Sequence, residues 1–91
     1  MPLIQDYQNI NLIIRRIMFT VQVIESNTGK PAYYKKVAIG FKGLLRSFAK
    51  DQYTDRNGEA HFSEDNGEGT IYIDGKALKD CYLSGRVLVY L

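Results

Sequence analysis

The chain contains no tryptophan, one cysteine, one histidine and two prolines in 91 residues. A single cysteine, Cys81, rules out an intrachain disulfide and suits a reducing compartment, so the cytoplasm is the default expectation. One cysteine and one histidine leave no Cys/His spacing for a structural zinc site. Gly40 and Gly43 are not followed by the Lys-Ser/Thr pair that a phosphate-cradling loop needs. Apolar runs are far shorter than the roughly 20 residues that span a bilayer, and membrane insertion is not expected. The start of the chain has Asp6 and no early positive charge, and Arg15-Arg16 follow the apolar stretch, unlike a secretory signal. Acid is absent from a whole segment: between Glu25 and Asp51 the charged residues are Lys30, Lys35, Lys36, Lys42, Arg46 and Lys50. From Asp51 to Asp74 the balance reverses, with seven acids against Arg56 alone. The net charge of +2 therefore conceals a chain split into a basic and an acidic half.

What is present is the hydrophobic content of a folded domain, 45% of residues, in a chain long enough for one core. Residues 1–17 carry isoleucines at helical spacing, but Asn9, Asn11 and the β-branched residues weaken that helix. They are expected to form an N-terminal arm, disordered or loosely docked, ahead of a domain over 18–91. From Met18 the period is two. Phe19, Val21 and Val23 alternate with Thr20, Gln22 and Ile24, and Val37, Ile39 and Phe41 define the inner face of a strand over 35–42. A third, less regular strand is expected over 45–54. Asp55-Arg56-Asn57-Gly58 is the strongest hairpin signal, of type I′, and leads into a strand over 59–63 with Ala60 and Phe62 inward. Further strands are expected over 70–74 and 86–91, with a turn at Asp74-Gly75, while 76–83 is ambiguous between helical turn and strand. About seven short strands with frequent turn signals indicate a sandwich. An oligonucleotide-binding barrel is the rival, and it needs a helix for which 64–69 is too short.

The motifs Val21-x-Val23, Thr28-Gly29-Lys30-Pro31, Val37-x-Ile39, Thr54-Asp55-x-Asn57-Gly58-x-Ala60-x-Phe62 and Gly69-Thr-Ile-Tyr-Ile73 resemble the carboxypeptidase regulatory-domain-like, or prealbumin-like, β-sandwich. The resemblance runs from about Phe19 to Ile73. It implies an all-β, seven-stranded Greek-key sandwich, usually an accessory module that stabilises a neighbour or makes contacts. An enzymatic branch with this architecture, a hydrolase of a urate-pathway intermediate, needs several histidines and a Tyr-Arg-Gly-Ser terminus. This chain has one histidine and ends Val-Leu-Val-Tyr-Leu, so those roles cannot be carried over.

Candidate chemistry is correspondingly sparse. His61 alternates with Ala60 and Phe62, so it points away from the core, and the sequence supplies it neither nucleophile nor orienting group. Asp55 to Glu59 resembles a truncated calcium loop, but turn chemistry alone explains each of its residues. A reactive Cys81 would need a stabilised thiolate, which nothing nearby marks. No catalytic residue, metal or cofactor is assigned. The basic half instead interleaves Tyr33, Tyr34, Phe41 and Phe48 with Lys35, Lys36, Lys42, Arg46 and Lys50. Cations among stacking faces suit a polyanion, or a carbohydrate. The plainer alternatives are a solvated strand face opposite acids, or lysines protecting a sheet edge. The expectation is a non-enzymatic module for protein–protein contact, with a partner or with itself, and Tyr33, Tyr34, Lys35, Lys36, Lys42 and Arg46 as candidate contact residues.

Overall fold

A computed structural model describes residues 17–43 and 49–91. Seven strands follow in chain order: β1 (Phe19–Ile24), β2 (Lys36–Phe41), β3 (Gln52–Tyr53), β4 (Glu59–Phe62), β5 (Gly67–Ile73), β6 (Lys76–Leu83) and β7 (Gly85–Tyr90). They form a three-stranded sheet in the order β4-β1-β7 and a four-stranded sheet in the order β3-β2-β5-β6. β1 and β7 run parallel, and the other pairs are antiparallel. No helix occurs among the described residues, which leaves the barrel reading without its helix. Of the arm expected over 1–17, residues 1–16 lie outside them.

Period-two alternation places one face of each sheet in a shared core. Phe19, Val21 and Val23 of β1 lie with Ala60, Phe62, Val87 and Val89 on one side. Val37, Ile39, Ile71, Ile73 and Leu83 come from the other. Phe19 stacks on Phe62 at 5.2 Å between centroids, and Phe41 meets Phe19 edge-on at 6.2 Å across the two sheets. Phe41 is thus on the inner face as expected, although only partly buried. Each such aromatic contributes a few kcal/mol of burial, which is how a thin core holds two sheets together.

Two local expectations need correction, and one ambiguity is resolved. Among the described residues the irregular third strand is confined to Gln52–Tyr53; the part of it expected over 45–48 lies outside them. The segment over 76–83 is a strand throughout, paired with β5 through a register shift at Ile71/Tyr72 that blurs its alternation. The turn at 55–58 is not type I′. Gly58 has φ +75°, but Asn57 is not among the residues with positive φ. The Gly58 N–H donates to Asp55 O at 2.9 Å and the Asp55 N–H to Glu59 O at 2.9 Å. Oδ1 of Asp55 accepts from the N–H groups of Asn57 and Glu59. The carboxylate thereby stabilises a turn followed by one left-handed glycine, which needs a single positive φ rather than two. This turn is a corner, because β3 belongs to one sheet and β4 to the other. The two-residue turn with positive φ at both positions is Asp74-Gly75 (φ +50° and +85°), which closes the β5–β6 hairpin.

Candidate functional site

The segment between β1 and β2 ends in a turn at Tyr33-Tyr34. Tyr34 has φ +58°, a left-handed conformation that bulky residues seldom adopt and that costs about 1–3 kcal/mol. Thr54, just after β3, holds it there. The Thr54 hydroxyl donates to Ala32 O at 2.7 Å and accepts from the Lys35 N–H at 2.8 Å. Its backbone accepts from the Tyr34 N–H and donates to Lys35 O, at 3.0 and 2.9 Å. Four hydrogen bonds to one residue fix the turn from below.

Above it lies an aromatic platform. Tyr33, Tyr34 and Tyr53 are 54%, 65% and 51% exposed. Tyr34 stacks on Tyr53 at 4.8 Å with 21° between planes, and Tyr33 lies 6.1 Å from Tyr34. The Arg56 guanidinium, carried by the corner turn, sits 5.2 Å from the centre of the Tyr33 ring. Lys36 is opposite Tyr53 in the β2–β3 register, so both project from the outer face. Lys35 lies 3.8 Å from Asp74, and both are well solvated, so the pair stabilises little.

Of the six candidate contact residues, the structure brings together Tyr33, Tyr34, Lys35 and Lys36. Lys42 lies beyond the far end of β2, about 20 Å from Lys36 at the usual strand rise of ~3.3 Å per residue. Arg46 and Phe48 lie outside the described residues. Lys36 is not an edge guard, because β2 is flanked there by β3 and β5. Tyr53 and Arg56 join the platform without having been singled out in the sequence. Both sit in the acidic half, and their one local signal was that the Asp55–Gly58 turn must fold Arg56 back towards β3.

A second cluster occupies the outer face of the other sheet. Thr20 pairs with His61 across β1 and β4, and Thr20 Oγ1 is 2.8 Å from His61 Nδ1. On the opposite side of the ring, Nε2 lies 3.6 Å from Glu59 Oε1 and 3.8 Å from Asp55 Oδ2. Arg86 binds the other Glu59 oxygen, Oε2, and donates to Gln22 Oε1 at 3.3 Å. His61 therefore has a neighbour that the sequence did not reveal, Thr20 of β1, 41 residues away, and its partner Glu59 is in turn held by Arg86 of β7. Hydroxyl, imidazole and carboxylate in line resemble a hydrolytic triad. Acyl transfer would also need free N–H donors beside Thr20, and β1 is the central strand of its sheet, with its backbone committed to ladders on both sides.

Cys81 packs partly against the core. Burial pushes its thiol pKa up from the ordinary value, with Lys79 working against this and Asp80 adding to it, so thiolate is disfavoured. A pocket lined by Glu25, Ser26, Asn27 and Leu91 shares no residue with either cluster. No helix of the described residues is long and apolar enough to cross a membrane. Comparison with protein-family models and with curated proteins finds no match.

Proposed function

We propose that this protein is a non-enzymatic contact module, a prealbumin-like Greek-key sandwich that engages a protein surface through Tyr33, Tyr34, Tyr53 and Arg56. The observation that carries this reading is Tyr34: a large apolar ring held exposed, in a left-handed backbone conformation, by four hydrogen bonds that join Thr54 to Ala32, Tyr34 and Lys35. Such strain persists where the surrounding structure over-determines it, and it concentrates at binding sites. Tyrosine and arginine are also the residues that dominate protein interface cores. The Greek-key assignment draws its support from the turn and core motifs and from the strand orders 4-1-7 and 3-2-5-6.

Ring geometry favours a protein partner over a sugar or a nucleic acid. Stacking ligands need open aromatic faces. Here Tyr34 and Tyr53 take up one face of each other, and Arg56 lies over Tyr33, so part of the stacking surface is already used within the protein. A photo-crosslinking residue at position 34 is expected to give a discrete adduct in cells, lost with Tyr53→Ala and absent for the same probe at Tyr82. Equal labelling from both positions would remove the assignment. Sedimentation over a wide concentration range then separates a second copy of the chain from a different partner. Tyr34→Gly is expected to keep the melting temperature within a few degrees, because relief of the left-handed strain offsets the lost stacking, while binding falls at least tenfold.

The polyanion reading rests on Lys35, Lys36 and Arg56 near the platform. Lys42 is remote and Asp74 offsets Lys35. Lys35→Glu with Lys36→Glu should therefore weaken heparin retention no more than the control pair Lys76→Glu with Lys79→Glu. A much larger loss, growing steeper with salt, would transfer the assignment to a polyanion.

A further inference from the structure

We infer that Asp55, Glu59 and His61 form a three-ligand site for a zinc-class divalent cation, separate from the tyrosine platform. Oxygen or nitrogen atoms of the three side chains all lie within 4.8 Å of one another. Nε2 is 3.6 and 3.8 Å from the two carboxylate oxygens, too far for an N–H···O bond, which has its usual length near 2.9 Å. The gap is wider than a proton fills. Bonds of about 2.0–2.1 Å in a tetrahedron put zinc ligands roughly 3.3 Å apart, so the imidazole closes on each carboxylate by a few tenths of an ångström and the two carboxylates, within 4.8 Å of each other, close by at most about 1.5 Å.

Each ligand is also held by the atom it does not present. Asp55 Oδ1 is engaged by the Asn57 and Glu59 N–H groups, which leaves Oδ2 facing the ring. Glu59 Oε2 is engaged by Arg86, which leaves Oε1. In the tautomer whose Nδ1–H donates to Thr20 Oγ1, Nε2 is the ring nitrogen left for a cation, on the side of the two carboxylates. Outer partners of this kind are what orient metal ligands. An imidazole among the ligands favours zinc, copper or nickel over the oxygen-seeking calcium and magnesium. Three protein ligands on a half-exposed face leave a fourth position for water or a partner's side chain.

The test uses the full chain, freed of metal with a chelator and titrated with zinc chloride. His61 is the sole histidine, so the imidazole nitrogen and carbon resonances report on one residue. Saturable movement of the Nε2 signal is expected, with an affinity at least tenfold weaker in Glu59→Gln and in Asp55→Asn. Cys81→Ser should leave binding unchanged, and millimolar calcium should leave the imidazole signals in place. Zinc should also raise the melting temperature of the unaltered chain and not that of His61→Ala, whose fold is checked by its unperturbed amide spectrum. An imidazole that does not respond to millimolar zinc overturns the proposal. So does a response that survives in the Asp55→Asn, Glu59→Gln double variant, or one that disappears with Cys81→Ser.

Discussion

Gly58→Ala is expected to destabilise the fold by about 3–5 kcal/mol, among the larger effects of single substitutions. Two terms add. Gly58 has φ +75°, where a side chain costs about 1–2 kcal/mol. A methyl there would also stand 2.6 Å from Val23 O and 3.0 Å from Pro31 Cβ. Neither neighbour can retreat cheaply: Val23 O accepts from Ala32 N–H at 2.9 Å, and the Val23 N–H donates to Gly58 O at 2.8 Å. With about 4–8 °C lost per kcal/mol in a domain of this size, the melting temperature should fall by at least 12 °C or so. Gly29→Ala separates the two terms. Gly29 has φ +73° with open space around it, so it should lose only the backbone part, about 1 kcal/mol. Equal losses from both variants would show that crowding at the corner contributes nothing.

Thr54→Val is expected to cost about 2–4 kcal/mol, although the two side chains have nearly the same shape. Thr54 is 2% exposed, and its hydroxyl serves Ala32 O and the Lys35 N–H together. Valine leaves both without that partner, and each unsatisfied buried group costs about 1–3 kcal/mol. Thr54→Ser restores the hydroxyl and should recover most of the loss, which assigns the effect to hydrogen bonding rather than to packing. Because the same bonds hold Tyr34, amide exchange at Tyr34 and Lys35 should quicken more than at β5 in Thr54→Val. Uniform quickening across both sheets would count against a local role for Thr54.

Much of the architecture was legible in short stretches. Phe19, Val21 and Val23, or Ala60 and Phe62, declare their face by alternation alone, because successive side chains leave a strand on opposite sides. Asp74-Gly75 declares its turn because few other pairs take positive φ twice. The same logic misread Asp55–Gly58, where a local carboxylate supplied hydrogen bonds that made the second positive φ unnecessary. β6 was ambiguous because it lies at a sheet edge and pairs through a register shift, so its burial does not alternate cleanly.

The candidate sites were legible only in halves. Tyr33, Tyr34, Lys35 and Lys36 stand together in the chain and stay together in space. Tyr53 and Arg56 reach them only because β3 pairs with β2 and the corner turns back. Asp55, Glu59 and His61 were visible as oxygen and nitrogen donors along one segment. Their shared direction depends on Thr20 from β1 and Arg86 from β7. By itself, the sequence determined most of the strands and turns, the inward faces and the split of charge, since these follow from neighbours a few residues apart. Only the tertiary structure decided which strands share a sheet, and therefore which tyrosines, cations and carboxylates meet. Sheet pairing joins residues tens of positions apart, and alternation, with its period of two, carries no record of the partner strand.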